Sequence, residues 1–136
     1  MEEPFMARLP KGDDLLEAIT RVFRERSISK AAFNVIGAVE GAVVGFYDTK
    51  AFQYRNVAFD GALEIVACMG NVSIKDGEIF IHAHITLSTE DCRCVGGHLM
   101  PGTPIFAAEL FAHPVAGEPK VRVFDGPTGL TLWSEP

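Results

Sequence analysis

The sequence has few of the features that mark disulfide-stabilised, secreted or membrane-spanning proteins. Only three of its 136 residues are cysteine, and this odd number is typical of reduced thiols rather than of a disulfide framework. No apolar run approaches the ~20 residues that a membrane span requires. The first residues, Met1-Glu2-Glu3-Pro4, are acidic, which argues against a secretory signal. We therefore expect a cytoplasmic protein with no membrane partner.

Basic residues are also scarce. The chain has 12 Lys and Arg against 18 Asp and Glu, a formal net charge of −6. Proteins that bind a DNA duplex usually present a basic face, because much of their affinity comes from neutralising the charge of the phosphates. The best basic cluster contains Arg21, Arg24, Arg26 and Lys30, and we interpret it as cations near a helix C-terminus. DNA stays possible as a partner but is disfavoured by the net charge.

Sequence motifs of several common enzyme classes are missing as well. There is no phosphate-binding loop, no dinucleotide-binding fingerprint and no G-x-S-x-G nucleophile elbow. The composition, with 48% apolar and 22% charged residues, is that of an ordinary globular protein. A chain of this length predicts a single domain over residues 1–136.

The apolar periodicity predicts an α+β fold, a mostly antiparallel β-sheet packed with one main N-terminal helix. Asp14 followed by Glu17 resembles a capping box, and helical spacing of apolar residues continues to Phe23, so the helix should end near Arg26-Ser27. From Ala31 onward, glycine-punctuated β-rich segments follow. The predicted strands are Pro4–Leu9, Ala32–Val39, Ala42–Tyr47, Ala51–Phe59, Leu63–Met69, Val72–Ile74, Ile79–Leu87, Cys94–Leu99, Pro104–Phe111, Val121–Phe124 and Leu130–Trp133.

Three of the four histidines, His82, His84 and His98, lie in one short stretch. Residues 79, 81, 83, 85 and 87 are apolar and share one strand face, so His82 and His84 project together from the opposite face. Pairing His84 with His98 across an antiparallel turn would add the third imidazole, and Gly96-Gly97 would allow a bulge that re-aims it. Three nitrogens with an open position form a ligand-accepting zinc site, whereas a surface or interface cluster is the alternative.

Several other residues are candidate ligands or proton carriers. Glu64 and Glu109 each interrupt an apolar strand and are candidate catalytic residues, either orienting an imidazole or acting as a general base. A strand-end or interface carboxylate paired to arginine is the competing interpretation. Cys92-Arg93-Cys94 offers thiolates for a closed zinc site, although its spacing is tighter than usual. His113 is interpreted as a surface loop residue, and Asn71 as a turn or bulge residue.

The stretches His82-Ala83-His84-Ile85-Thr86-Leu87 and Gly96-Gly97-His98-Leu99 resemble the signature of the plant and prokaryote conserved (PPC) domain family, stand-alone prokaryotic type. Leu63–Val66, Gly70-Asn71-Val72 and the segments around Gly37 and Gly45 also resemble it, so the likeness covers about Phe5 to Trp133. The resemblance implies a homotrimer with a metal held by the motif histidines. Family members in plants follow AT-hook DNA-binding segments, but no Arg-Gly-Arg-Pro segment is present here.

Two functions are compatible with these sequence features. The first is a trimeric metal-binding module, with zinc or another divalent transition metal, that has a regulatory or assembly role and a possible protein or DNA partner. The second is a small metalloenzyme that activates water on an unknown polar substrate. An accessible coordination position would favour the second, and a site sealed at a subunit interface would favour the first.

Overall fold

The computed structural model describes residues 2–134 and contains one α-helix and eight β-strands within them. The helix is α1 (Leu15–Glu25). The strands are β1 (Phe5–Leu9), β2 (Ala31–Asp48), β3 (Gln53–Lys75), β4 (Glu78–Ser88), β5 (Cys94–Leu99), β6 (Ile105–Pro114), β7 (Arg122–Asp125) and β8 (Leu130–Trp133). This is the mostly antiparallel α+β arrangement that the periodicity predicts.

Six strands form one sheet in the order β1-β6-β2-β3-β4-β5, and all their pairings are antiparallel. A further pairing of Val44 with Leu99 and Gly45 with His98 joins β5 back to β2. This contact closes β2 to β5 into a small barrel. Strands β7 and β8 form a separate hairpin. No helix among the described residues is both long and apolar enough to traverse a lipid bilayer.

Helix α1 begins as the capping pattern predicts. The Asp14 carboxylate accepts a hydrogen bond from the Glu17 backbone N–H at 3.1 Å, which satisfies one of the free donors of the first turn. Its second oxygen accepts from the N–H groups of Gly102 and Thr103, so the same side chain ties the helix start to the segment before β6. The apolar face of α1 is buried, and Phe23 packs between the rings of Phe5 and Phe33.

The two long strands β2 and β3 differ from the prediction. Ala32–Val39 and Ala42–Tyr47, predicted as two strands, belong to one continuous strand, and the three segments predicted between 51 and 74 belong to another. Gly61, with a φ of +87°, lies in a β-bulge of β3, where the register shifts between Val39 and Gly41 of β2. Glycine therefore bends these strands instead of ending them, and this bending allows the barrel to close.

Candidate metal centre

Strand β4 places two histidines on one face by alternation. Its odd-numbered residues from Ile81 to Leu87 are buried in the core, whereas His82 is half-buried and His84 is exposed on the opposite face. The Asp76-Gly77 turn that leads into β4 has positive φ at both residues, as a tight hairpin requires. The strand face that the sequence assigns to the histidines is thus the observed one.

Strand β5 adds the third histidine in the predicted register. His98 lies directly opposite His84, after a five-residue loop between Ser88 and Cys94. The bulge that Gly96-Gly97 would allow does not form, because the β4–β5 pairing runs without a register shift. The two glycines instead allow the backbones of neighbouring strands to approach closely. A Cβ at Gly96 would lie 2.2 Å from the Ile85 carbonyl oxygen, and one at Gly97 would lie 2.6 Å from the Gly45 carbonyl oxygen.

The three imidazoles converge on one point. Each residue offers a ring nitrogen, and these nitrogens all lie within 4.8 Å of one another. The Nε2 atoms of His82 and His84 are 3.3 Å apart. The ring centroids are separated by 5.1 Å for His82 with each of the other two rings and by 5.6 Å for His84 with His98.

The surroundings keep two of the rings neutral. Burial lowers the pKa of His82 to about 4, and the positive charges of His98, Arg122 and His84 act in the same direction. The pKa of His98 is also lowered, first by burial and then by His84 and Arg122. Neutral imidazole is the form that binds a metal ion, so the lowered pKa values keep His82 and His98 in their metal-binding form near neutral pH.

A tyrosine orients the third ring. The Tyr54 hydroxyl lies 3.4 Å from His98 Nδ1, at the long end of hydrogen-bonding distance, and the two rings pack at 4.7 Å between centroids. This contact leaves His98 Nε2 as the nitrogen available to a ligand. Burial raises the pKa of Tyr54, which keeps its hydroxyl protonated. The sequence did not single out Tyr54, because it lies 44 residues from His98 on a different strand.

The β7–β8 hairpin covers one side of the histidines. Arg122 of β7 donates hydrogen bonds to Asn71 and Ser73 of β3. The backbone N–H of Ile74 on β3 donates to the Lys120 carbonyl just before β7. A cavity of about 170 Å³ remains between hairpin and barrel. Its lining includes His82, His98, Tyr54, Arg122, Lys75 and Phe80.

Neither candidate carboxylate reaches this cavity, and neither is buried. Glu64 is exposed on β3 and pairs with Ser88, four residues along β4 from His84, or ~13 Å at 3.3 Å per residue. Glu109 is exposed on β6, where it lies opposite Arg8 and Ile36, with two strands between β6 and β4. The structure does not bring either residue to the histidines.

The remaining candidates are also placed elsewhere. Cys92 lies in the exposed loop and Cys94 is exposed at the start of β5, and no cysteine joins the metal-ligand group found among residues 2–134. His113 is exposed as expected, but it lies on β6 and not in a loop. Asn71 is not a turn or bulge residue: it lies within β3, directly opposite His82.

The basic cluster near the helix end is occupied by contacts within the chain. Arg21 pairs with Asp13, and Arg24 lies 3.7 Å from a Glu17 carboxylate oxygen. The Lys30 ammonium donates to the Ala116 carbonyl at 3.0 Å. The two carboxylate partners offset the charges of Arg21 and Arg24, whereas Lys30 bonds to a neutral carbonyl and keeps its charge.

One row of residues crosses the outer face of the whole sheet and ends at the histidines. Directly opposite residues on adjacent strands share a face. The row consists of Met6, Phe111, Asn34, Met69, His84 and His98, one from each strand of the sheet. Its apolar members are well exposed, with Met6 at 80% and Met69 at 62% of their full accessible surface.

Comparison with known proteins supports the likeness that the histidine pattern suggests. The model of the Plants and Prokaryotes Conserved (PCC) domain matches residues 1–116. This chain belongs to that family. The family match contains all three histidines and Tyr54, whereas Arg122 and the hairpin lie beyond its end. No protein in the curated set matches the sequence.

Solved structures resemble the whole chain. A metal-containing protein from Archaeoglobus fulgidus is 40% identical with a TM-score of 0.93, over 98% of this chain and 94% of that one. A plant- and prokaryote-conserved protein from Pyrococcus horikoshii is 33% identical with a TM-score of 0.93, over 99% and 93%. A Bacteroides thetaiotaomicron protein, 22% identical with a TM-score of 0.90 over 98% and 93%, shares the fold.

Proposed function

We propose that this PCC-family chain binds zinc or another divalent transition metal through His82, His84 and His98. The main support for this proposal is the 3.3 Å distance between the Nε2 atoms of His82 and His84. Two nitrogens bound tetrahedrally to one zinc ion at about 2.0–2.1 Å would be separated by about 3.3 Å. The similarity to a metal-containing archaeal protein at 40% identity supports the same assignment.

The site suits ligand binding better than turnover. When bound, the ion would supply Lewis acidity at a position left open by three protein ligands. The cavity beside the histidines has no acidic residue among its described lining, and the Tyr54 hydroxyl has a raised pKa that makes it a poor base at neutral pH. We infer a regulatory or assembly module whose metal centre accepts an outside ligand.

We further propose that the chain forms a homotrimer in which the exposed row across the sheet is covered by neighbouring subunits. Monomeric proteins rarely expose long apolar patches, and here Met6, Phe111 and Met69 are all exposed on one face. Because the same row includes His84, assembly would shield this exposed histidine. DNA remains the disfavoured partner, given the net charge of −6 and the internally paired cations.

A metalloenzyme is the second candidate, and the observation in its favour is that His82 and His98 line an open cavity. The experiment is a screen of esters, amides, lactones and phosphoesters with zinc-loaded protein. Turnover that is lost in His82→Ala would favour this candidate, whereas absence of metal-dependent turnover would favour the regulatory module.

Metal content provides the main test. Protein purified without a histidine tag is analysed for transition metals beside His82→Ala and His98→Ala, with His113→Ala as the matched control because it removes an exposed histidine far from the site. We expect about one metal per chain in the unchanged protein and the control, and less than a tenth of that in the other two. Equal metal content in all four proteins, or none after zinc is supplied, would contradict the proposal.

Assembly and DNA binding are tested separately. Light scattering should give three times the monomer mass, and Phe111→Glu, which places a charge in the exposed row, should reduce it. Trp133→Glu is the control, since it replaces an exposed aromatic residue on β8, outside the row, with a charged one. A mobility-shift assay at several salt concentrations tests DNA, and a salt-dependent shift would contradict the charge argument.

A further inference from the structure

Arg122 lines the cavity beside the histidines, and within residues 2–134 this cation has no acidic partner. Its Nε donates to Ser73 Oγ at 2.8 Å, its Nη1 to the Thr131 carbonyl at 3.1 Å and its Nη2 to Asn71 Oδ1 at 3.1 Å. All three acceptors are neutral. The four ion pairs found among residues 2–134 do not include Arg122.

The guanidinium retains donors for another molecule. Arginine has five N–H groups, and the three hydrogen bonds leave two of them unused. The group is held rigidly because it also packs against the rings of Phe80 and Trp133, at 5.0 and 5.8 Å from their centroids. Burial lowers its pKa, as expected of a partly desolvated cation, yet arginine stays charged at neutral pH.

The cavity concentrates positive charge around this arginine. Lys75 lines the same space, and a divalent ion on the histidines would add two further positive charges. No acidic side chain is present among the described lining residues. Partly buried cations are stabilised by an opposite charge, and a fixed, planar guanidinium is suited to two-oxygen recognition of carboxylate or phosphate.

We propose that this cavity binds a small oxyanion, a carboxylate or a phosphate, with Arg122 as its anchor and the histidine centre on its other side. A volume of about 170 Å³ is below the roughly 300–1,000 Å³ of pockets that hold drug-sized ligands, so the ligand has only a few heavy atoms. The ligand's contact with the histidine side rests on the proposed metal centre, whereas its contact with Arg122 does not.

The test measures binding of acetate, inorganic phosphate and the neutral acetamide by calorimetry, to metal-free and to cobalt-loaded protein. The visible spectrum of the cobalt form reports independently whether a ligand reaches the metal. We expect at least one anion to bind saturably, acetamide to bind at least tenfold more weakly, and Arg122→Gln to weaken anion binding at least tenfold. The preferred anion distinguishes a carboxylate ligand from a phosphate ligand.

Three further variants test whether the loss of anion binding in Arg122→Gln comes from the missing charge of Arg122. Ser73→Ala removes one anchor of the arginine but keeps its charge, so it should retain anion affinity within about threefold; a loss equal to that of Arg122→Gln would indicate a structural effect and overturn the proposal. Arg55→Gln, an exposed arginine on β3, should have no effect. Glu135 lies outside the described residues, and a tenfold gain in Glu135→Gln would assign the cavity to the chain's own carboxylate, which also overturns the proposal.

The outcomes distinguish the two proposals. Metal bound at one per chain without any anion binding would overturn the oxyanion site and leave the metal centre intact. Anion binding that depends on Arg122 in protein that takes up no metal would support the oxyanion site and contradict the metal centre. Equal binding of acetamide and acetate would overturn the charge argument.

Discussion

The hydroxyl of Tyr54 lies 3.4 Å from Nδ1 of His98, and no other side chain contacts that nitrogen among the hydrogen bonds of the described residues. A partner on the second nitrogen fixes the tautomer and orientation of a metal-binding imidazole. Tyr54→Phe should therefore weaken metal binding about tenfold, the lower end of the range for such partners. Competition with a chelator measures the affinity.

Tyr47→Phe is the matched control for that substitution. Tyr47 packs against Tyr54 at 5.1 Å between centroids, but its hydroxyl bonds to the Thr128 carbonyl and not to a histidine. It should keep the metal affinity of the unchanged protein. Equal affinities in all three proteins would remove Tyr54 from the metal site.

Stability of the metal-free protein should fall as the pH falls from about 6.5 towards 4. His82 has a folded pKa of about 4, below its ordinary value of 6.5, so in this window the unfolded chain binds more protons than the folded one. The contribution is fully present above pH 6.5 and is lost as the folded pKa is approached. Urea unfolding at several pH values measures it.

His82→Asn is the matched variant for the pH profile, because it keeps a polar side chain but removes the titrating group. Its unfolding midpoint should depend less on pH across the same window. A profile as steep as that of the unchanged protein would show that the acid sensitivity originates elsewhere.

The three cysteines should differ in reactivity. Burial raises the pKa of Cys68 to about 12, so its thiol stays protonated and enclosed, whereas Cys92 and Cys94 are exposed. At pH 8, iodoacetamide should label Cys92 and Cys94 and leave Cys68 unmodified, as read by peptide mass spectrometry. Metal content should survive this labelling; its loss would revive the thiolate site that the sequence allowed.

The helix cap should contribute measurably to stability. The Asp14 carboxylate accepts hydrogen bonds from the backbone N–H groups of Glu17, Gly102 and Thr103. Asp14→Ala should reduce the free energy of unfolding by about 1–2 kcal/mol. Asp14→Asn keeps a capping oxygen and should cost less; equal losses for both would mean that the charge, and not the cap, stabilises the helix.

The sequence by itself determined the local features. The N-cap at Asp14 and the outward face of β4 follow from helical spacing and alternation, which are properties of neighbouring residues. The same alternation predicts that His82 and His84 share a face, whereas the addition of His98 depends on the β4–β5 pairing, which the local sequence permits but does not fix. Segments predicted as separate strands proved continuous, because one glycine serves equally well in a turn and in a bulge, and only strand pairing distinguishes them.

Tertiary structure alone decided what surrounds the histidines. Tyr54 and Arg122 come from distant positions in the chain, and no local periodicity links them to His98. Strand closure between β2 and β5 and the packing of the β7–β8 hairpin on β3 bring them together, while the same pairing keeps Glu64 and Glu109 away. The local pattern thus fixes which side chains share a face, and long-range packing fixes their chemical environment.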